Sequence, residues 1–568
     1  MVAGLLAFLL LAVPAAPQEE GPAELVLHGG LVRTLDPDRP LARAVAVRGG
    51  RILFAGSDRE ALALAGPETR LLDLRGHLLL PGFQDAHAHL AGFGLALRQV
   101  DLTGTRSLEE VVRRSVQAAR DRPAGAWILG RGWDQNDWAD TALPHHRPLS
   151  EALPEHPVVL TRVDGHALLA NAAAMRAAGV DPDQVGGTDP PGGRILRDAS
   201  GRPTGVFVDA AMGLVRRGIP PAPPGELRAA VEAAIAAFHA RGVTGIHDAG
   251  VDTPTLELYR AMLQDGDFAL RDHVLLRGDP ETLGQWLPGG PVLDLEGRGR
   301  VQVRAIKLSA DGALGSRGAR LLEDYDDEPG HRGLVLTPPE RVREVAVQAL
   351  QHGFQLCVHA IGDGANRFVL DAFEAALAEI PRADHRFRIE HAQVLHPDDL
   401  PRFAALGVIP SMQAQHQTSD MPWVLRRIGP DRARLAYAWR SLLDTGVILP
   451  GGSDVPVERA DPLAAFRAAV FRRNDAGFPA GGWFPEQAMS REEALLHLCR
   501  WPAAAAFQEQ RMGSIEAGKV ADLVVVSEDL ATASWEGLLR ARVLLTVFDG
   551  RIVYSEGTLA PPAGLGNR

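Results

Sequence analysis

The residues of this chain that could hold a cation recur at the ends of apolar runs. Pro81-Gly-Phe-Gln-Asp-Ala-His87-Ala-His89 follows Leu78-Leu79-Leu80, so the stretch reads as a buried strand that ends in polar residues. Side chains alternate along a strand, which places His87 and His89 on the same side of it. Two imidazoles held in that way can share one divalent cation. Two histidines capping a strand by hydrogen bonds would leave the same trace, so the pair alone does not decide.

The pattern repeats further along. Val301-Gln-Val-Arg-Ala-Ile-Lys307 ends in lysine just before Ala310-Asp311-Gly312, and Gln355-Leu-Cys-Val-His359 ends in histidine before Ile361-Gly-Asp-Gly364. Phe387-Arg-Ile-Glu-His391 ends in histidine, and Val447-Ile-Leu-Pro-Gly-Gly-Ser-Asp454 ends in aspartate. Each of these alone could be an ordinary hydrogen-bonded residue. Brought to one rim, His87, His89, Lys307, His359, His391 and Asp454 would crowd charge into a small desolvated volume, which a metal ion would relieve. Gly451, Gly452 and Ser453 are small and would let a substrate approach Asp454.

The elements that must position these residues follow from hydrophobic pattern. Apolar runs at 126–129, 158–161, 244–247, 301–308, 355–359, 387–391, 408–412 and 447–449 alternate with helical stretches at 108–120, 227–240, 339–352, 365–379 and 491–498. That alternation predicts βα units around a parallel sheet. With the Leu78 run the strands slightly exceed eight, which favours an α/β fold of the (β/α)8 TIM-barrel type, with chemistry at the C-terminal strand ends. The run at 158–161 is assigned to a Pro- and Gly-rich insertion at about 133–224. Both chain ends are β-rich, with Gly-Gly turns near the start and Asp549-Gly550 near the finish. Segments 24–80 and 506–560 are expected to fold together as a small β-sandwich domain, interrupted by the barrel at 81–505.

At 568 residues the chain suits a large barrel plus a smaller unit. A net charge of −12 without a Lys/Arg block argues against nucleic acid as a partner. Cys357 and Cys499 are the only cysteines, so a Cys-rich zinc site or disulfide framework is excluded, and two separate buried thiols are the simpler reading. Ala3 to Val13 is apolar and precedes Pro14-Ala15-Ala16-Pro17, a pattern that resembles a signal peptide over residues 1–16, although Met1-Val2 carries no basic side chain. The expectation is an exported protein, or one anchored by this segment if it is not cleaved. No other segment is long and apolar enough to span a bilayer.

The order His-x-His, Lys, His, His, Asp resembles the metal-dependent amidohydrolase superfamily. Gly130-Arg-Gly-Trp133-Asp134, Val163-Asp-Gly-His166, Lys307-Leu-Ser-Ala-Asp311-Gly-Ala-Leu-Gly-Ser316-Arg317 and His359-Ala-Ile-Gly-Asp363 look like the amidohydrolase family 3 group, which contains N-substituted formamide deformylases. The tail Gly513-Ser-Ile-Glu-Ala-Gly518-Lys519-Val-Ala-Asp522 matches the superfamily's return to its small β domain. The likeness covers about residues 24 to 555. Arg500-Trp501-Pro502-Ala503 departs from the family pattern, in a helical segment where no chemical effect is expected.

That resemblance implies one or two divalent ions, zinc being the expected one. His87, His89 and Asp454 would bind the inner ion and His359 and His391 the outer, with Lys307, carboxylated on its amine, bridging them. It implies hydrolysis of a non-peptide C–N bond, in an amide, formamide or related compound, by metal-activated hydroxide. Asp454 would carry the proton from water to the leaving nitrogen. Trp133, His166, Arg317 and His416 are the candidate substrate contacts, though packing and ordinary loop hydrogen bonds remain open for them. The implied partner is a small-molecule substrate, and a homo-oligomer is left open. A deaminase is the nearest alternative, but mononuclear deaminases generally lack the bridging lysine. A non-catalytic exported binding protein would be expected to have a broken ligand set, and none is broken here.

Overall fold

The alternating runs assemble into a seven-stranded parallel sheet. Its strands, in neighbour order, are Phe83–Ala88, Val243–Val251, Arg271–Arg277, Val301–Ser309, Gln355–Ala360, Arg388–His391 and Ile409–Ser411. Residues 450–454 link its two edges. Met412 N donates to the Pro450 carbonyl, Ala86 N to Gly451 and Asp454 N to His87, at 3.1, 2.8 and 2.7 Å. The result is a nearly closed barrel of the α/β class. The computed structural model describes residues 21–559, so the expected signal peptide at 1–16 lies outside the described residues. Among those described, no helix is long and apolar enough to cross a membrane.

Helices occupy the connections. Pro339–His352 starts with proline in its first turn and ends at Gly353, whose φ of 84° is left-handed, as sterics favour at the two helix ends. Its buried face, Val342, Val345 and Ala349, packs in the same core as Leu356 and Val358 of the next strand.

Four expectations are corrected. The Leu78–Pro81 run is not the histidine-bearing strand. It belongs to a second sheet, antiparallel to Leu523–Val526 and parallel to Leu31–Arg33. The chain breaks at Gly82, where a Cβ would lie 2.3 Å from Thr244 Oγ1, and Phe83–Ala88 begins the barrel. The run at 126–129 is not a barrel strand either. Ile128–Trp133 and Val100–Asp101 extend a separate six-stranded sheet with Val158–Arg162, Ala167–Ala170, Pro203–Asp209 and Gly193–Arg197, so the extra unit starts upstream of residue 133. Residues 447–449 form no strand: Pro450 has no N–H to donate, and two glycines follow, so the edge is closed by irregular bonds. Arg271–Arg277 is a strand that its charged residues conceal. Asp272 and His273 are buried, and His273 is bonded to Gln355 and Gln302 at 3.0 and 2.8 Å.

The chain ends meet. Ala23–His28, Ala44–Arg48, Arg51–Gly56 and Ala65–Asp73 form a four-stranded sheet, while Val543–Phe548 and Arg551–Ser555 join the sheet containing Leu78–Pro81. Leu25, Val45 and Val47 of the first sheet share a core with Leu79, Val525 and Leu545 of the second. Arg271 at the barrel's foot reaches Asp522 and Asp549, both at 3.0 Å from its Nη2. This link is buried at Arg271 and Asp522. Buried pairs of this kind weaken a fold by about 3–5 kcal/mol when one partner is removed.

Candidate metal centre

The Phe83–Ala88 strand carries His87 into the barrel mouth, and His89 lies one step past its end, at the start of the Leu90–Ala96 helix. His87 Nδ1 is 2.6 Å from Glu390 Oε2. His89 Nδ1 is 2.8 Å from the Ala249 carbonyl, and His391 Nδ1 is 2.7 Å from Gln413 Oε1. All three partners are oxygen acceptors, so each neutral ring carries its proton on Nδ1 and presents a bare Nε2. Orienting partners of this type are the usual support of histidine ligands.

The bare nitrogens of His87 and His89 face the Asp454 carboxylate. His89 Nε2 is 3.1 Å and His87 Nε2 is 3.6 Å from Asp454 Oδ1, and Lys307 Nζ is 3.1 Å from His87 Nε2. Donor atoms of His87, His89 and Asp454 lie within 4.8 Å of one another, as do those of His391, His416 and Asp454. Lone pairs facing one another need a cation between them. The donor set therefore fits one or two divalent ions.

Electrostatics point the same way. Burial first, then the Lys307 charge, pull His87 down to about 4. Burial and neighbouring histidines hold His359 and His391 well below the usual imidazole range. Burial lowers Lys307 although Glu390 and Asp454 oppose it. Asp454 is also desolvated, but its neighbours His89, His87 and His391 keep its carboxyl well below the usual range. Neutral imidazoles beside an ionised carboxylate are the form a cation requires.

Two of the candidate ligands have an uncommon backbone conformation. His391 and Asp454 are left-handed, at φ 73° and 56°, a conformation that costs about 1–2 kcal/mol for such residues and persists where surroundings impose it. The left-handed turn at His391 breaks the side-chain alternation of Phe387–His391. At Asp454, the expected room for substrate at the two glycines is filled by protein. A Cβ on Gly452 would lie 2.5 Å from His87 N, and one on Gly451 would lie 2.2 Å from His497 Nε2. The glycines instead let the Asp454 segment press against the His87 strand. Asp85 fastens the two, accepting from Ser453 N at 2.9 Å and His87 N at 3.2 Å. Burial pushes its carboxyl up to about 6 despite those bonds.

The remaining candidates divide. His359 packs on His391 with ring centroids 4.5 Å apart, but its Nε2 turns toward Gly312 O and Asp311 Oδ1, each at 3.5 Å. His166 comes from the extra sheet, its ring 5.0 Å from His359 and its Nδ1 2.6 Å from Asp209 Oδ1. Burial opposes its charge, but Asp209, Asp164 and Asp454 outweigh that and raise its pKa. His416 stacks on His391 at 5.8 Å, and its buried Nε2 is 3.8 Å from Asp454 Oδ2. Arg317 is drawn away, pairing with Asp327 at 3.0 Å and Glu328 at 3.4 Å, and it does not line the clefts at the cluster.

Trp133 is corrected as well. It is 0% exposed, donates from Nε1 to the Leu160 carbonyl at 2.8 Å and packs on Trp138. A glycine-rich word made it look like a loop residue, but Ile128–Trp133 is a strand. Trp133→Ala should therefore lower stability by about 3–5 kcal/mol in denaturant unfolding. Unchanged stability with a shifted KM would return Trp133 to the pocket.

Two clefts meet at the cluster. One of about 520 Å³ is bounded by His166, His359, His391, His416 and Asp454. The other, about 1070 Å³, adds His87, His89 and Lys307.

A family model described as "Amidohydrolase family" matches residues 70–554. The chain belongs to the amidohydrolase family. It is 35% identical over 560 residues to the protein LONG AFTER FAR-RED 3 of Arabidopsis thaliana, covering 94% of this chain and 92% of that one. It is 30% identical over 546 residues to the N-substituted formamide deformylase of Arthrobacter pascens, covering 94% and 98%. A crystal structure of an uncharacterised metal-dependent hydrolase from Pyrococcus furiosus superposes with a TM-score of 0.70 at 28% identity, over 89% of this chain and all of that one. This amidohydrolase is therefore an enzyme of metal-dependent type that hydrolyses carbon–nitrogen bonds other than peptide bonds in small molecules.

Sequence reasoning missed Glu390. It is fully buried, and although burial works against its charge, Arg388 and His87 hold it ionised. Its position between Ile389 and His391 was the available signal, hidden because the turn at His391 puts both neighbours to use. Glu390→Gln in this amidohydrolase should weaken metal affinity by about 10–100-fold, read by metal titration. Unchanged affinity would remove Glu390 from the support of His87.

Proposed function

We propose that this amidohydrolase cleaves a small amide or formamide to a carboxylate or formate and an amine, with zinc as its ion, Lys307 carboxylated and Asp454 as proton carrier. The observation that carries the reading is the convergence of His87, His89 and His391, each with Nδ1 turned to an oxygen acceptor, on the ionised Asp454. His87, His89 and Asp454 would hold one ion; His391 with His359 or His416 would hold the other. Bound there, the ions supply Lewis acidity toward the scissile carbonyl and acidify the attacking water.

The chain's own residues do the rest. The Asp454 carboxylate accepts the water proton and returns it to the leaving nitrogen. Burial lowers the Lys307 amine, which favours the neutral form; that form would add to CO2 and release one proton to solvent, leaving a carbamate anion beside His87. His166 and His416 flank the cluster in reach of a substrate, and the extra sheet supplies one wall. In this reading the barrel is an eight-position (β/α) barrel whose last place is taken by 450–454, and the two end sheets form its β-sandwich.

Lys307→Arg keeps a cation and cannot form a carbamate, so loss of at least part of the bound metal is expected; a variant with full metal and full turnover would remove the bridge. The reading as a whole is tested with metal-loaded protein on a panel of formamides, amides, carbamates and aminated heterocycles. Release of an amine with formate or a carboxylate is expected. Ammonia from the heterocycles alone, or no turnover at all, would overturn it.

A further inference from the structure

The larger cleft holds two arginines without a carboxylate partner. Arg131, from Ile128–Trp133, donates from Nη2 to the Val163 carbonyl at 2.9 Å and from Nε to the Pro456 carbonyl at 3.3 Å, and its Nη1 has no partner among the described residues. Arg216, from Met212–Arg216, makes no side-chain hydrogen bond or ion pair among them and lines the same cleft. Gly165, left-handed at φ 76°, lies under the Arg131 guanidinium, and a Cβ there would sit 3.3 Å from Nη2, so the sequence leaves that group uncrowded.

The carboxylates of this cleft are already engaged. Asp164 is paired with Arg162. Asp248 accepts from Leu90 N and the Tyr259 hydroxyl at 2.9 and 2.8 Å. Asp252 and Asp279 cap helices through Thr255 N and Thr282 N, and Asp454 belongs to the metal cluster. Burial and the Arg216 charge work against the Arg131 cation while Asp454 and Asp164 favour it from beyond hydrogen-bond reach, so an anion placed between the two guanidinium groups would relieve their repulsion. A guanidinium with a free edge matches a carboxylate geometrically.

We propose that Arg131 and Arg216 form an anion subsite, so that the amide cleaved at the cluster carries a carboxylate. This rests on the C–N hydrolase reading above. The test compares kcat/KM for ω-formamido carboxylates of increasing chain length with N-alkylformamides of equal length, in wild type, Arg131→Gln and Arg216→Gln. Calorimetric titration of alkyl monocarboxylates into the same metal-loaded proteins provides a readout free of turnover. Wild type should prefer the acids, and each variant should lose about tenfold or more of that preference and of carboxylate affinity. Arg131→Lys should recover part of both, which separates loss of the cation from misfolding. Formamide turnover without preference for acids, or carboxylate affinity unchanged in both glutamine variants, would overturn the subsite while leaving the hydrolase reading intact. If no formamide turns over, the hydrolase reading fails and the titration alone decides the subsite.

Discussion

His87→Ala is expected to abolish stoichiometric metal binding and nearly all turnover. His87 is the hub of the cluster: its Nδ1 is fixed by Glu390, and its Nε2 faces both Lys307 and Asp454. Losing an orienting partner alone weakens metal affinity by about 10–100-fold, so losing the donor atom itself should exceed that. The truncation also leaves Glu390 and the Lys307 amine facing a cavity in the barrel mouth. His359→Ala should act in the same direction through the packing of His359 on His391. Metal analysis with an amide assay reads both effects, and a variant with full metal and full turnover would remove the residue from the site.

Asp454→Asn separates ligation from proton transfer. If the carboxylate only held metal, excess metal should restore the rate. If it also carries the proton, the asparagine amide cannot accept and return it, and turnover should fall by roughly a hundredfold or more at full occupancy. The left-handed backbone at φ 56° favours the substitution structurally, because Asn and Asp tolerate that region best. Activity within a fewfold of wild type at saturating metal would exclude the proton-carrying role.

The parallel sheet was legible because its strands are apolar runs between helical stretches, and that period survives in the sequence. What escaped has physical causes. Leu78–Pro81 and Phe83–Ala88 are separated by one residue and buried throughout, so little in the sequence marks the break at Gly82, where the backbone passes close to Thr244 and the chain changes sheets. Arg271–Arg277 carries charges that read as loop until their buried partners are known. In the site, ligand-type residues announce themselves by type and place, whereas Glu390 and Asp85 act through neighbours brought from more than 300 positions away, at |i−j| of 303 and 368. Arg317 and Trp133 sat in suggestive words, but one is satisfied by Asp327 and Glu328 and the other by the Leu160 carbonyl and a core.

Lys307 is one of two lysines in the chain, so a carbon-13 carbamate signal from labelled CO2 would have little background. The central claim, however, is metal-dependent C–N hydrolysis, and it is tested most directly by following metal content and amide turnover on one sample through chelation and re-addition. Stoichiometric metal, turnover that disappears with it, and recovery in proportion to metal restored are the predicted results. Full turnover by metal-free protein, or a metal-loaded protein that cleaves no amide, formamide or carbamate, would contradict it.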